Sequence, residues 1–241
     1  MTSVLERLMT NAPGLLVLLD PGRTDPPDAA RVARVAEEAG VAGLLIGSSF
    51  DGAEHTAVVA TAIKKVSGLP LLLFPGGAGQ LTPLVDAVLF LSLVSGRNAQ
   101  YLIEEHVRAV PFFTRHPIEA ISTAYILVDG GSITAVESVS QTRPLPSDKP
   151  EIAVAHALAA QMIGMKAVYL DAGSGAAHPV APSVIRAVRR AVSLPLLVGG
   201  GMKTPEQVRA ARTAGADLIV VGTAVETGGA DRIREFVAAL A

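Results

Sequence analysis

Short, mostly apolar runs recur along this chain, and a segment of helical period usually separates one from the next. The runs fall near Leu15–Leu19, Gly43–Ile46, Leu71–Phe74, Ala87–Leu91, Ser122–Val128, Ala167–Leu170, Leu194–Val198 and Leu218–Val221. They are apolar on both faces, as expected for parallel strands covered all round. Between them the pattern is amphipathic: in Ala29–Ala39, Val32, Val35 and Ala36 form one face while Arg31, Arg34 and Glu38 lie elsewhere. Helix starts are marked by Pro26-Pro27-Asp28, Pro150-Glu151, Pro182-Ser183 and Thr204-Pro205, with Thr204 suited to an N-cap. Gly40, Gly164 and Gly215 stand where helices should end. Eight strands alternating with helices predict an α/β fold, a (β/α)₈ (TIM) barrel. A doubly wound open sheet is the runner-up.

Two stretches break the rhythm. Between the third and fourth strands lies only Pro75 to Asp86, with three glycines and Pro83, so a loop is expected in place of a helix. After the fifth strand, Asp129-Gly130-Gly131 signals a turn and Thr134–Val139 is β-prone, which predicts a short hairpin. No linker or composition shift divides the chain, and residues 1–241 are expected to form one domain.

Composition narrows the class. Half the residues are hydrophobic, 17% are charged, and the net charge of −2 offers no basic field for nucleic acid. The longest apolar runs fall far short of the roughly 20 residues that span a bilayer. The opening MTSVLERLMTNAPG carries Glu6 and no long apolar core, so no secretory leader is expected. Cysteine is absent, which excludes disulfides and thiolate metal sites, and a cytoplasmic location is expected.

The chemistry concentrates where strands end. AVYLDAGSG, Ala167 to Gly175, runs from a strand into an acid and then into glycines that leave backbone N–H groups uncovered. Strand seven ends in Gly199-Gly200-Gly201 and strand eight in Gly222-Thr223-Ala224. A barrel carries its active site at this end and often binds phosphate on the last loops, so three glycine loops there predict a bound phosphate. Asp20 follows the first strand, Asp129 the fifth and Asp171 the sixth. Asp20 with Ser48 or Ser49 could supply hard oxygen ligands for Mg²⁺, although Asp20-Pro21 is by itself a common turn pair. Asp129 reads as a turn former. Arg97 and Asn98 are candidates for a second anionic group, and Lys64-Lys65 reads as a solvated helix face. The histidines lack metal-ligand spacing, and His106 and His156 are expected on solvent-facing helix positions.

These residues resemble a known family. YLDAGSGA, Tyr169 to Ala176, is similar to the YLEAGSGA signature of geranylgeranylglyceryl phosphate synthases and their heptaprenylglyceryl phosphate synthase relatives. The likeness continues through LLDP (Leu18–Pro21), IGSSF (Ile46–Phe50), LFPG (Leu73–Gly76), Lys149–Asp171, Leu194–Val208 and Ala214–Glu226. The resemblance implies a barrel lacking its third helix and a Mg²⁺-dependent prenyltransferase that joins a long prenyl diphosphate to sn-glycerol 1-phosphate as an ether. It implies Asp20 and Ser49 as Mg²⁺ residues, and Tyr169, Leu170, Asp171, Ala172, Gly173, Ser174, Gly175, Gly199, Gly200, Gly222 and Thr223 as the glycerol phosphate site. Asp171 would be the catalytic carboxylate that takes the acceptor hydroxyl's proton, and it departs from the signature's Glu by one methylene. That departure leaves 3-phosphoglycerate as an alternative acceptor. Leu91, Leu93 and Tyr101 are candidate walls for the prenyl tail. The resemblance also implies a homo-oligomer, and a lipid product implies transient contact with a membrane surface.

Two readings from other classes compete: a barrel phosphosugar isomerase or aldolase, and a non-catalytic phosphate-binding barrel. The first usually needs a lysine or a His/Glu base on an inner strand, and no predicted strand holds a lysine. The second would leave the two mouth carboxylates without a chemical task.

Overall fold

The computed structural model describes residues 2–50 and 52–240. Its elements run α1 (Val4–Thr10), β1 (Gly14–Leu19), α2 (Pro26–Glu38), β2 (Gly43–Ile46), α3 (Ala53–Lys64), β3 (Leu71–Leu73), β4 (Ala87–Leu93), α4 (Glu105–Phe113), β5 (Glu119–Leu127), α5 (Ala135–Ser140) and α6 (Pro150–Met162). There follow β6 (Ala167–Asp171), α7 (Pro182–Ala191), β7 (Leu196–Gly199), α8 (Pro205–Ala214), β8 (Leu218–Val221), α9 (Thr223–Gly228) and α10 (Asp231–Ala238). The strands pair in chain order, each parallel to the next, and β8 closes on β1 through Gly14↔Leu218 to Val17↔Val221. The sheet is therefore a closed (β/α)₈ barrel rather than an open one.

Strand alternation divides the apolar side chains into two cores. Leu15, Val17, Leu44, Ile46, Val168, Leu170, Val198 and Ile219 point outward and pack with the helices. Leu16, Leu45, Leu72, Leu89, Tyr125, Tyr169, Leu197 and Val220 fill the barrel interior. The floor of that interior is sealed by α1, whose Val4 and Leu8 join the inner core. A capping box starts this helix: Ser3 Oγ accepts from Glu6 N–H while Glu6 accepts from Ser3 N–H at 2.8 Å. Leu8 is 1% exposed, and burying a leucine so fully contributes about 1.5–3 kcal/mol.

The outer ring follows its start and stop signals. Thr204 caps α8 in a second capping box, and Gly40, Gly164 and Gly215 all hold positive φ just beyond helices. After β3 the expected loop is present: only a single short turn of 3₁₀ helix, Ala78–Gln80, stands where a full helix would pack. The expected hairpin after β5 is absent. Residues Ala135–Ser140 form α5 instead, and the one strand-like pairing nearby is an isolated parallel bridge between Val128 and Leu145. The β-prone run is overridden because a helix turns Ala135, Val136 and Val139 together onto the cavity wall. Lys64 is less free than expected, since it pairs with Asp86 at 2.7 Å.

Candidate active site

The alternation that builds the core also aims the acids. On β6, Ala167 and Tyr169 face the interior, so Asp171 two residues later faces it too. On β1, Leu16 faces inward, and Leu18 and Asp20 follow at the same spacing. Both acids line one cavity of about 970 Å³ at the C-terminal end of the strands, together with Ser48, Ser49, Tyr169, Ser174, Gly175, Gly200, Gly222 and Thr223. The side chains of Leu170 and Ala172 point the other way, into the outer core, so only their backbone could serve a ligand. Gly199 lies beneath Tyr169: a Cβ there would overlap the phenol oxygen.

The three loops meet closely. Gly173, Gly175, Gly200 and Gly201 hold φ of +88°, +76°, +77° and +67°, a region that side chains disfavour. At Gly200 a Cβ would overlap Asp171 Oδ1 and come within 2.5 Å of Gly173 N and 2.7 Å of Ala172 N. Glycine is thus required for the β7 loop to pass beside the acid. Ser174 and Thr223 hydroxyls stand 3.4 Å apart and join the loops after β6 and β8. Only the β8 loop runs straight into a helix, α9 at Thr223, whereas α7 and α8 begin later, at Pro182 and Pro205. A helix start therefore stands directly at one of the three loops.

Asp171 is 5% exposed. Its Oδ2 accepts the Tyr125 hydroxyl at 2.5 Å, and the carboxylate also accepts from Gly173 N–H. Burial raises its pKa, while those two donors act in the opposite direction by favouring the charged form. Burial, with the neighbouring carboxylate, pushes the phenols of Tyr125 and Tyr169 well above the usual tyrosine range. Phe74, Tyr125 and Tyr169 stack as a triangle with ring centroids 5.3–5.9 Å apart, walling this acid from the barrel floor.

Asp20 is half-buried and makes the turn its sequence suggested, Oδ1 accepting from Gly22 N–H at 2.9 Å. Its own N–H donates to Glu226 Oε1 at 3.3 Å, and Arg23 lies 3.8 Å from the other Glu226 oxygen. Burial, followed by the charge of Asp20, raises the pKa of Glu226. Asp129 is a turn former as read, accepting from Gly131 N–H at 2.8 Å.

The other half of the cavity is apolar and runs toward the missing helix. Phe74, Phe90, Leu91, Leu93, Tyr101 and Ala109 line it, which includes all three expected wall residues. The loop that bounds it is pinned: Glu105 accepts from Ala78 N–H at 2.8 Å, and Gln80 accepts from Gly76 N–H and donates to Ser48 O. His106 is not a solvent-facing residue. It lies half-buried in the cavity wall, edge-on to Phe90 at 4.4 Å, with Nδ1 unpartnered, and burial lowers its pKa. His156 is also half-buried, bonded through Nδ1 to Ile152 O of its own helix. Arg97 and Asn98 do not line the cavity; they bond the carbonyls of Gly96 and Ser140.

Several lining residues escaped the sequence reading: Tyr125, Arg23, Lys203, Glu226 and Arg232. Tyr125 carried one usable signal, since a tyrosine inside an otherwise apolar strand needs a partner for its hydroxyl. The charged four carry none, as surface charges after strands are commonplace.

Fold and mouth together define a class: a (β/α)₈ barrel whose functional end is built from the loops after its last strands. The chain belongs to the PcrB family, whose profile matches residues 7–240. It is 42% identical to the geranylgeranylglyceryl phosphate synthase of Korarchaeum cryptofilum, over 89% of this chain and 88% of that one. The Thermococcus kodakarensis protein of the same name is 44% identical, with 91% and 87% covered. The crystal structure of (S)-3-O-geranylgeranylglyceryl phosphate synthase from Thermoplasma acidophilum, in complex with its substrate sn-glycerol-1-phosphate, superposes with a TM-score of 0.93. It is 34% identical and the match covers 100% of this chain and 99% of that one.

Proposed function

We infer that this chain is a prenyltransferase that forms an ether between a long prenyl diphosphate and sn-glycerol 1-phosphate, releasing diphosphate. The observation that carries this is the two-part cavity: glycine loops and a buried inward acid at one end, and an apolar gallery at the other. Its named relatives act in the same sense. The glycine loops hold the acceptor phosphate through backbone N–H groups, so the acceptor hydroxyl and the prenyl carbon meet in one oriented complex. Asp171 hydrogen-bonds that hydroxyl and takes its proton as the C–O bond forms. Phe90, Leu91, Leu93 and Tyr101 receive the tail.

Asp20 and Ser49 would hold Mg²⁺. The donor set suits that ion: Asp20 keeps one carboxylate oxygen free of its turn, Ser49 adds a hydroxyl, and no cluster of three or more His, Cys, Asp or Glu exists among the described residues. So sparse a set fits a small hard cation that takes its remaining ligands from diphosphate and water. When bound, the ion neutralises charge on the diphosphate leaving group.

No helix of the described residues is long and apolar enough to cross a membrane. On α4 and the turn before it, Ile103, Val107 and Val110 form an exposed apolar row, which supports the expected self-association. No strand among the described residues carries a lysine, which disfavours the aldolase reading.

The test is incubation with glycerol 1-phosphate, glycerol 3-phosphate and 3-phosphoglycerate, each paired with prenyl diphosphates of graded length, with and without a chelator. Ether product from glycerol 1-phosphate, lost on chelation and restored by Mg²⁺, is expected. Product from 3-phosphoglycerate alone would replace the acceptor, and no product from any pair would remove the reading.

A further inference from the structure

Asp171 is a base in an awkward place. A carboxylate so deeply buried, with the phenols of Tyr125 and Tyr169 beside it, favours the neutral acid, and a neutral acid cannot take a proton. A short acid in a narrow pocket must also keep one oxygen free while the rest of its lone pairs are satisfied. Both requirements meet at a single side chain that neither the glycine loops nor the metal residues include.

We propose that Tyr125 positions Asp171 for proton transfer: its hydroxyl, donating to Oδ2 at 2.5 Å from the adjacent strand β5, fixes the carboxylate so that Oδ1 faces the acceptor beside Gly200. Tyr125 itself is fixed on both sides. It sits on β5 directly opposite Tyr169 in the strand register, and its ring packs against Phe74 and Tyr169. Tyr125 is 6% exposed and its hydroxyl makes no other hydrogen bond among the described residues, so the acid is what it was placed to meet.

The proposal rests on the prenyltransferase reading and adds a residue to it. In the reaction the prenyl C–O bond breaks with its electron pair leaving on diphosphate. The acceptor oxygen forms the new C–O bond, and its proton passes to Asp171. Tyr125 does not exchange a proton in this step. Its O–H is a donor to the charged form of Asp171, and such a bond favours ionisation. The groups that face Asp171 are few. β5 contributes Tyr125 and β6 Tyr169; its own loop contributes Gly173 N–H, and β7 only the backbone of Gly199-Gly200. The ionic residues that line the same cavity, Asp20, Arg23, Glu105, Lys203, Glu226 and Arg232, make no hydrogen bond to it.

The sign follows. Activity needs ionised Asp171, so it falls as pH drops through the pKa of that acid. Removing a donor that favours the anion raises this pKa and moves the acidic limb to higher pH. Tyr125→Phe in the full chain, assayed with glycerol 1-phosphate and prenyl diphosphate, should lower kcat about tenfold at neutral pH. It should leave KM for glycerol 1-phosphate within about twofold and move the acidic midpoint up by about one pH unit. Replacing Tyr125 alone with 3-fluorotyrosine, a stronger donor of the same shape, should move it down; this variant carries the test if the Phe protein fails to fold. A purely structural tyrosine would change stability and leave both midpoints in place. Carboxyl ¹³C NMR of Asp171, assigned by its loss in Asp171→Asn, reads the same titration without turnover. It therefore decides the Tyr125 proposal even if no acceptor is prenylated, an outcome that would remove only the functional reading. An Asp171 midpoint equal in wild type, Tyr125→Phe and the fluorotyrosine protein would overturn the proposal.

Discussion

The two halves of the cavity are built from the same barrel, yet they solve opposite problems. After β6 and β7 the chain turns at once through left-handed glycines, after β8 it enters a helix directly at Gly222-Thr223, and backbone N–H groups crowd to within 2.7 Å of where a Gly200 side chain would stand. After β3 and β4 the strands lead instead to Phe74, Phe90, Leu91 and Tyr101, and a helix is missing from the ring. The polar half is shaped by backbone that glycine allows to approach closely. The apolar half is shaped by side chains and by an omission. The two halves should therefore respond to different substitutions and through different kinetic constants.

The largest effect is expected where the polar half meets the chemistry. Asp171→Ala should lower kcat about 10²–10⁴-fold, the usual worth of a positioned general base. Glycerol 1-phosphate binding, measured by calorimetry, should change little, because the loops hold the phosphate. Unchanged turnover would take Asp171 out of the mechanism.

The apolar half should fail in another way. Leu91→Trp fills the gallery, so turnover of the longest prenyl diphosphates should fall about tenfold or more relative to short ones, a loss of the size that one or two misplaced methylenes produce in a pocket. The KM for glycerol 1-phosphate should stay within about twofold of wild type by the same separation. A parallel loss for every chain length would show that Leu91 belongs to the fold and not to the tail site.

The smallest effect is on stability. Burial raises the folded pKa of Asp171, so its favourable contribution is fully present below the ordinary aspartate pKa and is lost as pH rises through the raised value. Asp171→Asn removes that loss. It should be inactive and yet melt about 2–4 °C higher than wild type on the alkaline side of that value, for each ~1 kcal/mol recovered. The gain should shrink toward acid pH. A melting difference independent of pH would mean that the acid is not under strain.

Much of this contrast was legible in the sequence, and the reasons are local. Eight apolar runs, a short glycine-rich Pro75–Asp86 and glycines placed directly after strands are patterns that neighbouring residues create. Thr134–Val139 was misread as strand because its β propensity is local while the cavity wall that Val136 and Val139 complete is not. Tyr125 and Asp171 lie 46 residues apart, and only the parallel pairing of β5 with β6 brings them to 2.5 Å. His106 was misplaced for a related reason: a helix face reads as solvent-exposed until Phe90 from β4 is known to cover it. Arg97 and Asn98 looked available because the carbonyls that occupy them, Gly96 and Ser140, leave no mark in composition.

The single 3₁₀ turn after β3 has a consequence for how such a protein can diversify. A substrate longer than a sealed barrel would have to fold up inside it, and every extra carbon would be felt by the catalytic groups. With one stave of the ring left out, added length would lie at the flank that Phe90, Leu91 and Tyr101 line, rather than against Asp171 and the glycine loops. Substitutions along Phe90, Leu91 and Tyr101 would then retune which chain length is accepted while the reacting atoms keep their positions, so that product length becomes a trait selectable apart from catalytic competence.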